Sequence, residues 1–220
     1  MRTKLILLMV AFLIPVGAHA QWSVGVTGGM SYNVLSMDRQ YLTDNRVDGL
    51  WGATMGVSGQ YDINDWLAVR AGLNLTQKNY RQHRVILTDV DYRYQNDYLQ
   101  LPVMASFSFG GQKLRGLFHL GVYGGYWLQG YLRGNDYNLF NEETLTLSQD
   151  VDFNPDRDQR WDFGFLGGVG LEYRIARHWA IRAESLGYYS VVSTTRQYMR
   201  VQDYRYNTTV ALQLGVSYLF

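Results

Sequence analysis

The chain contains no cysteine among its 220 residues, and proline is scarce, with three. The absence of cysteine excludes disulfides, thiolate metal sites and cysteine nucleophiles. The formal net charge is only +1, so the sequence does not indicate the basic face that nucleic-acid binding requires. Beyond residue 20, no stretch approaches the ~20 apolar residues of a transmembrane helix. Glycine (23) and tyrosine (18) are abundant, and together they favour strands over helices.

The first twenty residues form a unit of their own. The segment MRTK gives a positive start, LILLMVAFLIPVG an apolar stretch, and AHA a small-residue pattern before Gln21. This pattern predicts a secretory signal peptide, because the apolar stretch is short for a membrane span. An uncleaved anchor helix is the alternative. We expect cleavage after Ala20, which leaves residues 21–220 as one mature domain outside the cytoplasm.

Apolar and polar side chains alternate along the mature chain. In the last segment, most even positions from Tyr206 to Phe220 are apolar, and the odd positions as far as Ser217 are polar or small. A period of two predicts strands whose two faces meet different surroundings. Eight such strands are predicted, near residues 22–34, 50–61, 67–78, 98–109, 118–129, 162–175, 179–191 and 206–220.

Two features indicate that the apolar faces point outward into lipid. The polar faces carry mostly small residues, whereas a water-exposed surface is rich in charge. Aromatic residues gather at the strand ends, as in the girdles of membrane barrels. A soluble sandwich or lipocalin-like barrel with inward apolar faces is the alternative. One predicted girdle holds Trp22, Tyr61, Trp66, Phe109, Phe118, Tyr173, Trp179, Tyr218 and Phe220, and the other holds Tyr32, Trp51, Tyr80, Tyr98, Tyr131, Trp161 and Tyr189.

Short and long connections alternate between the predicted strands. In bacterial outer-membrane barrels, short turns face the periplasm and long loops face outward. We therefore predict an all-β fold, an eight-stranded antiparallel up-and-down transmembrane β-barrel in the outer membrane, with both termini in the periplasm. The predicted short turns are 62–66, 110–115 and 176–178, and the long polar loops are 35–49, 81–97, 133–161 and 192–204.

The chain ends on apolar residues, although chain ends are usually polar and frayed. In the predicted barrel, Tyr218 and Phe220 face lipid at the periplasmic girdle. A terminal aromatic residue after alternating apolar residues resembles the signal by which the barrel-insertion machinery recognises its substrates. The simpler interpretation, that Phe220 anchors the last strand in the interface, is compatible with this one.

Four segments carry a family resemblance: YDINDWLAVRAGLNLTQKNY (61–80), YLQLPVMASFSFG (98–110), GLFHLGVYGGYWLQG (116–130) and DFGFLGGVGLEYRI (162–175). They resemble the PorT-like outer membrane protein β-barrel family over most of residues 22–220. The resemblance implies an eight-stranded barrel of Gram-negative outer membranes, usually described as porin-like. One type of member is associated with a protein-secretion machinery. The resemblance assigns this secretion role to no particular residue of this chain.

Five charged residues are predicted to point into the barrel near its periplasmic half. The interior of an eight-stranded barrel is just wide enough for side chains to fill it, and an unpaired buried charge is costly. We therefore expect a salt-bridge network that fills the lumen. A gated or selective pore lined by these charges is the alternative. The five residues are Arg70, Glu172, Arg174, Arg182 and Glu184.

The sequence assigns no catalytic, cofactor or metal residue. His83 shares the predicted loop 81–97 with Thr88, Asp89 and Asp91, but the positioned third group that nucleophilic catalysis requires is missing. We interpret this segment as an ordinary solvated loop.

An acidic run in the longest loop invites comparison with calcium sites. Oxygen-bearing side chains recur there at every second position, but an EF-hand needs glycine sixth and glutamate twelfth. This chain has Pro155 and Trp161 at those positions. A solvated acidic loop is favoured, and a looser calcium site stays open because calcium accepts irregular oxygen cages. The run is Asp150, Asp152, Asn154, Asp156 and Asp158.

The expected function is that of a non-enzymatic outer-membrane barrel with a filled lumen and no cofactor. The predicted loops 35–49, 81–97 and 192–204 combine tyrosine with arginine, which are favoured at protein interfaces. Solvated loops whose tyrosines rest on the barrel rim are the alternative. We expect a membrane anchor, a surface-interaction element or a subunit of an outer-membrane complex. Its expected partners are outer-membrane lipid, the barrel-insertion machinery and a protein bound through the outer loops or the periplasmic rim. The alternatives are a narrow porin-like channel for small solutes and a barrel enzyme at the outer rim that depends on His83.

Overall fold

An antiparallel sheet of ten strands dominates the computed structural model, which describes residues 22–37, 44–86, 90–138, 143–196 and 204–220. The predicted signal peptide lies outside these residues. Within them, no helix is long and apolar enough to cross a membrane. The strands are β1 (Trp22–Met37), β2 (Asn45–Asp62), β3 (Leu67–Gln77), β4 (Tyr80–Arg84), β5 (Asp91–Gly110), β6 (Leu114–Asn138), β7 (Glu143–Asp150), β8 (Trp161–Ala176), β9 (Trp179–Ser190) and β10 (Arg205–Leu219).

The sheet closes into a barrel because the first and last strands pair with each other. Strand β1 lies between β2 and β10, and β6 joins β5 to β8. Strands β3 and β4 follow each other between β2 and β5, and β7 pairs with the far end of β6. The ring therefore has the eight strands that the sequence predicts. We call the end with the short turns and both described termini the turn end, and the opposite end the loop end.

The two faces of the strands lie as the alternation predicts. On β3, Val69 and Leu73 are exposed on the outer face, whereas Arg70 and Asn74 are buried in the lumen. On β10, Leu214 is 66% exposed and the adjacent Gln213 only 5%. An apolar outer face with a polar interior fits a barrel solvated by lipid. The alternative of a soluble sandwich with inward apolar faces is wrong.

Two aromatic residues assigned to a girdle lie inside the barrel instead. Tyr80 is 7% exposed and stacks on Tyr94, and Tyr98 is 2% exposed and stacks on Trp127. A position near a strand end does not determine which face a ring occupies, and the even positions of these strands point inward. The outer face exposes Trp22, Trp51, Trp66, Phe109, Trp161, Tyr173, Trp179, Tyr189 and Phe220.

The strands continue well beyond the lengths that the sequence predicts at the loop end. Strand β5 starts within predicted loop 81–97, and β6 and β7 occupy much of predicted loop 133–161. Hairpin strands satisfy each other's backbone N–H and C=O groups, so pairing needs no lipid contact. Polar alternation such as DYRYQND therefore extends the sheet past the apolar band.

Candidate functional site

The lumen at the turn end holds an ion-pair group around Glu172. Its carboxylate accepts a hydrogen bond of 2.8 Å from Arg182 Nε, and both side chains are nearly inaccessible to solvent. Arg174 Nε lies 3.4 Å from the second carboxylate oxygen, with 30% of its side chain exposed. Three of the five predicted residues are thus brought together on β8 and β9. Opposed positions on these strands, Glu172 and Arg182, form the closest contact.

A second group crosses the middle of the lumen. Arg70 Nη1 on β3 donates a 2.7 Å hydrogen bond to Glu184 Oε1 on β9. His119 Nε2 lies 3.3 Å from Arg70 Nη2 and 3.4 Å from Glu184 Oε1. All three side chains are buried. Sequence reasoning missed His119, although the alternation of β6 places it on the same inward face as Gly121 and Tyr123.

A third group, also missed from the sequence, lies closer to the loop end. Lys78 Nζ is 2.5 Å from Asp162 Oδ2, and the side chains are 1% and 4% exposed. Asp162 Oδ1 also accepts hydrogen bonds from Ser190 Oγ (2.6 Å) and Tyr123 OH (3.2 Å). The ammonium group lies 4.9 Å from the ring centroid of Tyr98 and 5.1 Å from that of Tyr123. This cluster joins Lys78, which lies between β3 and β4, to side chains of four strands, β5, β6, β8 and β9.

The space left in the lumen beside these groups is small. One cavity of about 20 Å³ touches Arg70, Glu184 and Gln213, and another of about 20 Å³ touches Glu172 and Arg182 at the turn end. A single water needs roughly 10–15 Å³ on this measure, so each cavity has room for about one. Paired charges therefore leave little space in the lumen around Arg70 and around Glu172.

The acidic run folds into a turn that arginine closes. Asp158 accepts hydrogen bonds of 2.8 and 3.0 Å from the Arg157 guanidinium and one of 2.9 Å from the Asn154 backbone N–H. Asn154 Oδ1 accepts from the Asp156 backbone N–H. Asn154 and Asp158 thus use their side-chain oxygens within the turn. Across the described ranges, no group of three or more His, Cys, Asp or Glu side chains is placed to hold a metal ion.

His83 lies in strand β4 and not in the solvated loop that the sequence predicts. Its Nδ1 is 3.4 Å from Asp48 Oδ2. Asp91 accepts two hydrogen bonds, of 2.7 and 2.9 Å, from Arg81, and this contact raises the pKa of Arg81. His83 and Asp91 therefore have separate partners. Thr88 and Asp89, the other members of the predicted cluster, lie outside the described residues.

The chain terminus completes the ring at the turn end. Phe220 is 57% exposed, and its backbone N–H donates a 3.0 Å hydrogen bond to the Trp22 carbonyl at the start of β1. The Tyr218 ring meets Trp179 and Phe220 edge-on, both at 5.2 Å between centroids. These contacts place the terminus in an aromatic cluster on the outer face. Recognition of Tyr218 and Phe220 during insertion stays a prediction.

A closed antiparallel ring with an apolar outer face and a polar lumen defines a transmembrane β-barrel. Residues 5–220 match the family described as "Outer membrane protein beta-barrel domain", and the chain belongs to this family. The family implies the cell outer membrane as its location. No curated protein matches the sequence significantly.

Solved structures of similar shape include three bacterial barrels. The outer membrane protease OmpT from Escherichia coli has 9% identity and a TM-score of 0.53, with 90% of this chain and 96% of that chain covered. Neisserial surface protein A has 12% identity, coverage of 93% and 100%, and a TM-score of 0.49. OprG from Pseudomonas aeruginosa has 15% identity, coverage of 92% and 98%, and a TM-score of 0.48. At such identities, the likeness to OmpT shows the fold alone.

Proposed function

We propose that the chain is a non-enzymatic outer-membrane barrel with a closed lumen, which acts through its surface at the loop end. The observation that carries this proposal is the filled lumen: the groups around Arg70 and Glu172 leave cavities for about one water each, and the Lys78–Asp162 pair is almost fully enclosed. A barrel without a continuous path serves as an anchor, a surface-interaction element or a subunit of a membrane complex. The PorT-like resemblance suggests a protein-secretion complex as one candidate assembly.

The proposed orientation places the turn end in the periplasm and the loop end outside. It follows the arrangement of short and long connections in bacterial barrels. In this orientation, Phe220 and Tyr218 stand at the periplasmic interface, where the barrel-insertion machinery would meet the last strand. The extended hairpins of β4 to β7 then stand beyond the outer leaflet.

We expect the purified barrel to give no steady current in a planar lipid bilayer, because the lumen lacks a water column. Single-channel recording with a porin in the same bilayer as positive control measures this. A steady ohmic conductance whose ion selectivity changes in Arg70→Ala or Glu172→Ala would contradict the closed barrel and support the narrow solute channel. Those two variants are informative because both residues touch the lumen cavities.

A subunit role predicts a stoichiometric partner in native membranes. We expect a tag inserted between β6 and β7, at residues 139–142, to recover the barrel together with one protein in constant ratio. The control is another eight-stranded barrel that carries the same tag at matched abundance. Recovery of the barrel alone under mild detergent would contradict the subunit role and would be compatible only with the anchor and surface-interaction roles.

A further inference from the structure

Three arginines stand side by side in the sheet extension at the loop end. Arg81 on β4 is directly opposite Arg93 on β5, and Arg93 is directly opposite Arg133 on β6. Directly opposed residues of antiparallel strands share a face, with Cβ atoms about 4.5–5.5 Å apart. Like charges in that relation destabilise the pairing. Three in a row therefore need a physical reason.

The row projects from the outer face of the barrel and not into the lumen. Tyr80 and Tyr94, which alternate with Arg81 and Arg93, stack against each other on the inner side. Arg93 and Arg133 are exposed. The row is accordingly accessible to molecules beside the barrel.

The row also lies just beyond the band that contacts lipid tails. Tyr131, two positions from Arg133 towards the turn end, belongs to the predicted girdle at this end, and the Arg133 guanidinium lies 5.1 Å from the centroid of its ring. Two residues of a strand rise roughly 7 Å, and barrel strands are tilted. The guanidinium groups of the row therefore fall at the level of lipid head groups.

Protein carboxylates compensate only part of the positive charge. Asp91 takes both of its hydrogen bonds from Arg81, and Asp48 lies beside His83. Arg93 has no ion pair with any residue that the structure describes, and Arg133 contacts the ring of Tyr131. Two adjacent guanidinium groups at head-group level are thus left for an external anion. Arginine binds phosphate through paired, parallel hydrogen bonds.

We propose that the row Arg81–Arg93–Arg133 binds the phosphate of an outer-leaflet membrane lipid, with Arg93 and Arg133 as the contacting residues. A phosphate placed between them removes their mutual repulsion and fixes the barrel at a defined depth. The row points outward at the edge of the apolar band, and this position favours a membrane lipid over a soluble phosphate as the ligand. The choice of leaflet rests on the proposed orientation of the barrel.

The test titrates the full mature barrel, in detergent, with lipid A that carries two phosphates, and counts bound lipid by native mass spectrometry. The double variant Arg93→Gln/Arg133→Gln should bind lipid A about tenfold more weakly or worse, the change expected from losing charge-assisted hydrogen bonds. The matched control, Lys113→Gln/Arg177→Gln, removes the same charge from two turns at the turn end and should bind like the wild type. Dephosphorylated lipid A should bind weakly and equally to all three proteins.

Equal affinity of wild type and double variant for lipid A overturns the proposal. It is also overturned if the wild type binds dephosphorylated lipid A as tightly as lipid A. Inorganic phosphate or an acidic protein that binds the wild type as tightly as lipid A would also overturn it, in favour of a soluble ligand. Binding in detergent does not depend on which end faces outward. Surface labelling of a tag between β6 and β7 tests the orientation separately, so the two failures are distinguishable.

Discussion

Replacing Glu184 by glutamine should lower the free energy of unfolding of the barrel by about 3–5 kcal/mol, the usual cost of removing one partner from a buried ion pair. The substitution keeps the size of the side chain but leaves the Arg70 guanidinium in the closed middle of the lumen without its carboxylate. Urea unfolding in phospholipid vesicles, followed by tryptophan fluorescence, measures the change.

The control for Glu184 is Arg174→Gln, which removes a partly exposed partner and leaves Glu172 paired with Arg182. Its contact with Glu172 is 3.4 Å long, and pairs near solvent contribute about 0–1 kcal/mol. If Glu184→Gln costs no more than Arg174→Gln, the middle group is not a buried ion pair in the membrane-embedded protein. The double variant Arg70→Met/Glu184→Leu, which removes both charges, should recover most of the unfolding free energy lost in Glu184→Gln. Uncharged side chains of similar volume often replace a buried pair at little cost.

The general fold could be predicted because alternation is a local property of the sequence. A strand such as β10 exposes Leu214 and buries Gln213 whatever its partners are, so a period of two is enough to assign the faces. The extension of the hairpins at the loop end could not be derived in this way. There both faces are polar, and the contrast between lipid and lumen that makes the alternation readable is absent. Backbone hydrogen bonding alone extends β5 and β6 beyond the apolar band.

The pairing of charges across the lumen depends on the stagger of the strands, which a single sequence does not reveal. The sequence places Arg70 and Glu184 inside the barrel, but they are 114 positions apart, and only the closed ring brings them into contact. His119 went unassigned because histidine on a polar face has several ordinary interpretations. Lys78 and Asp162 stood at the limits of predicted strands, where a charged residue is usually taken to meet water.

The position of Lys78 and Asp162 deep inside the barrel predicts a second large effect. We expect Asp162→Asn to cost about 3–5 kcal/mol of unfolding free energy, measured by the same urea titration in vesicles. The amide oxygen can still accept hydrogen bonds from Ser190 and Tyr123, so the loss reports the ion pair with Lys78. The double variant Lys78→Met/Asp162→Asn should regain most of it, since no charge then remains buried.

The matched control for Asp162 is Asp91→Asn in the sheet extension. Arg81 and Asp91 share two hydrogen bonds, and their side chains are 37% and 24% exposed, whereas Lys78 and Asp162 share one short contact and are almost fully enclosed. Water screens the first pair, so its loss should cost about 0–1 kcal/mol despite the better geometry. A larger loss for Asp91→Asn than for Asp162→Asn would mean that water reaches Lys78 from the loop end. The lumen would then be open to water at the Lys78–Asp162 group, and a solute path past Tyr98 and Tyr123 would have to be tested.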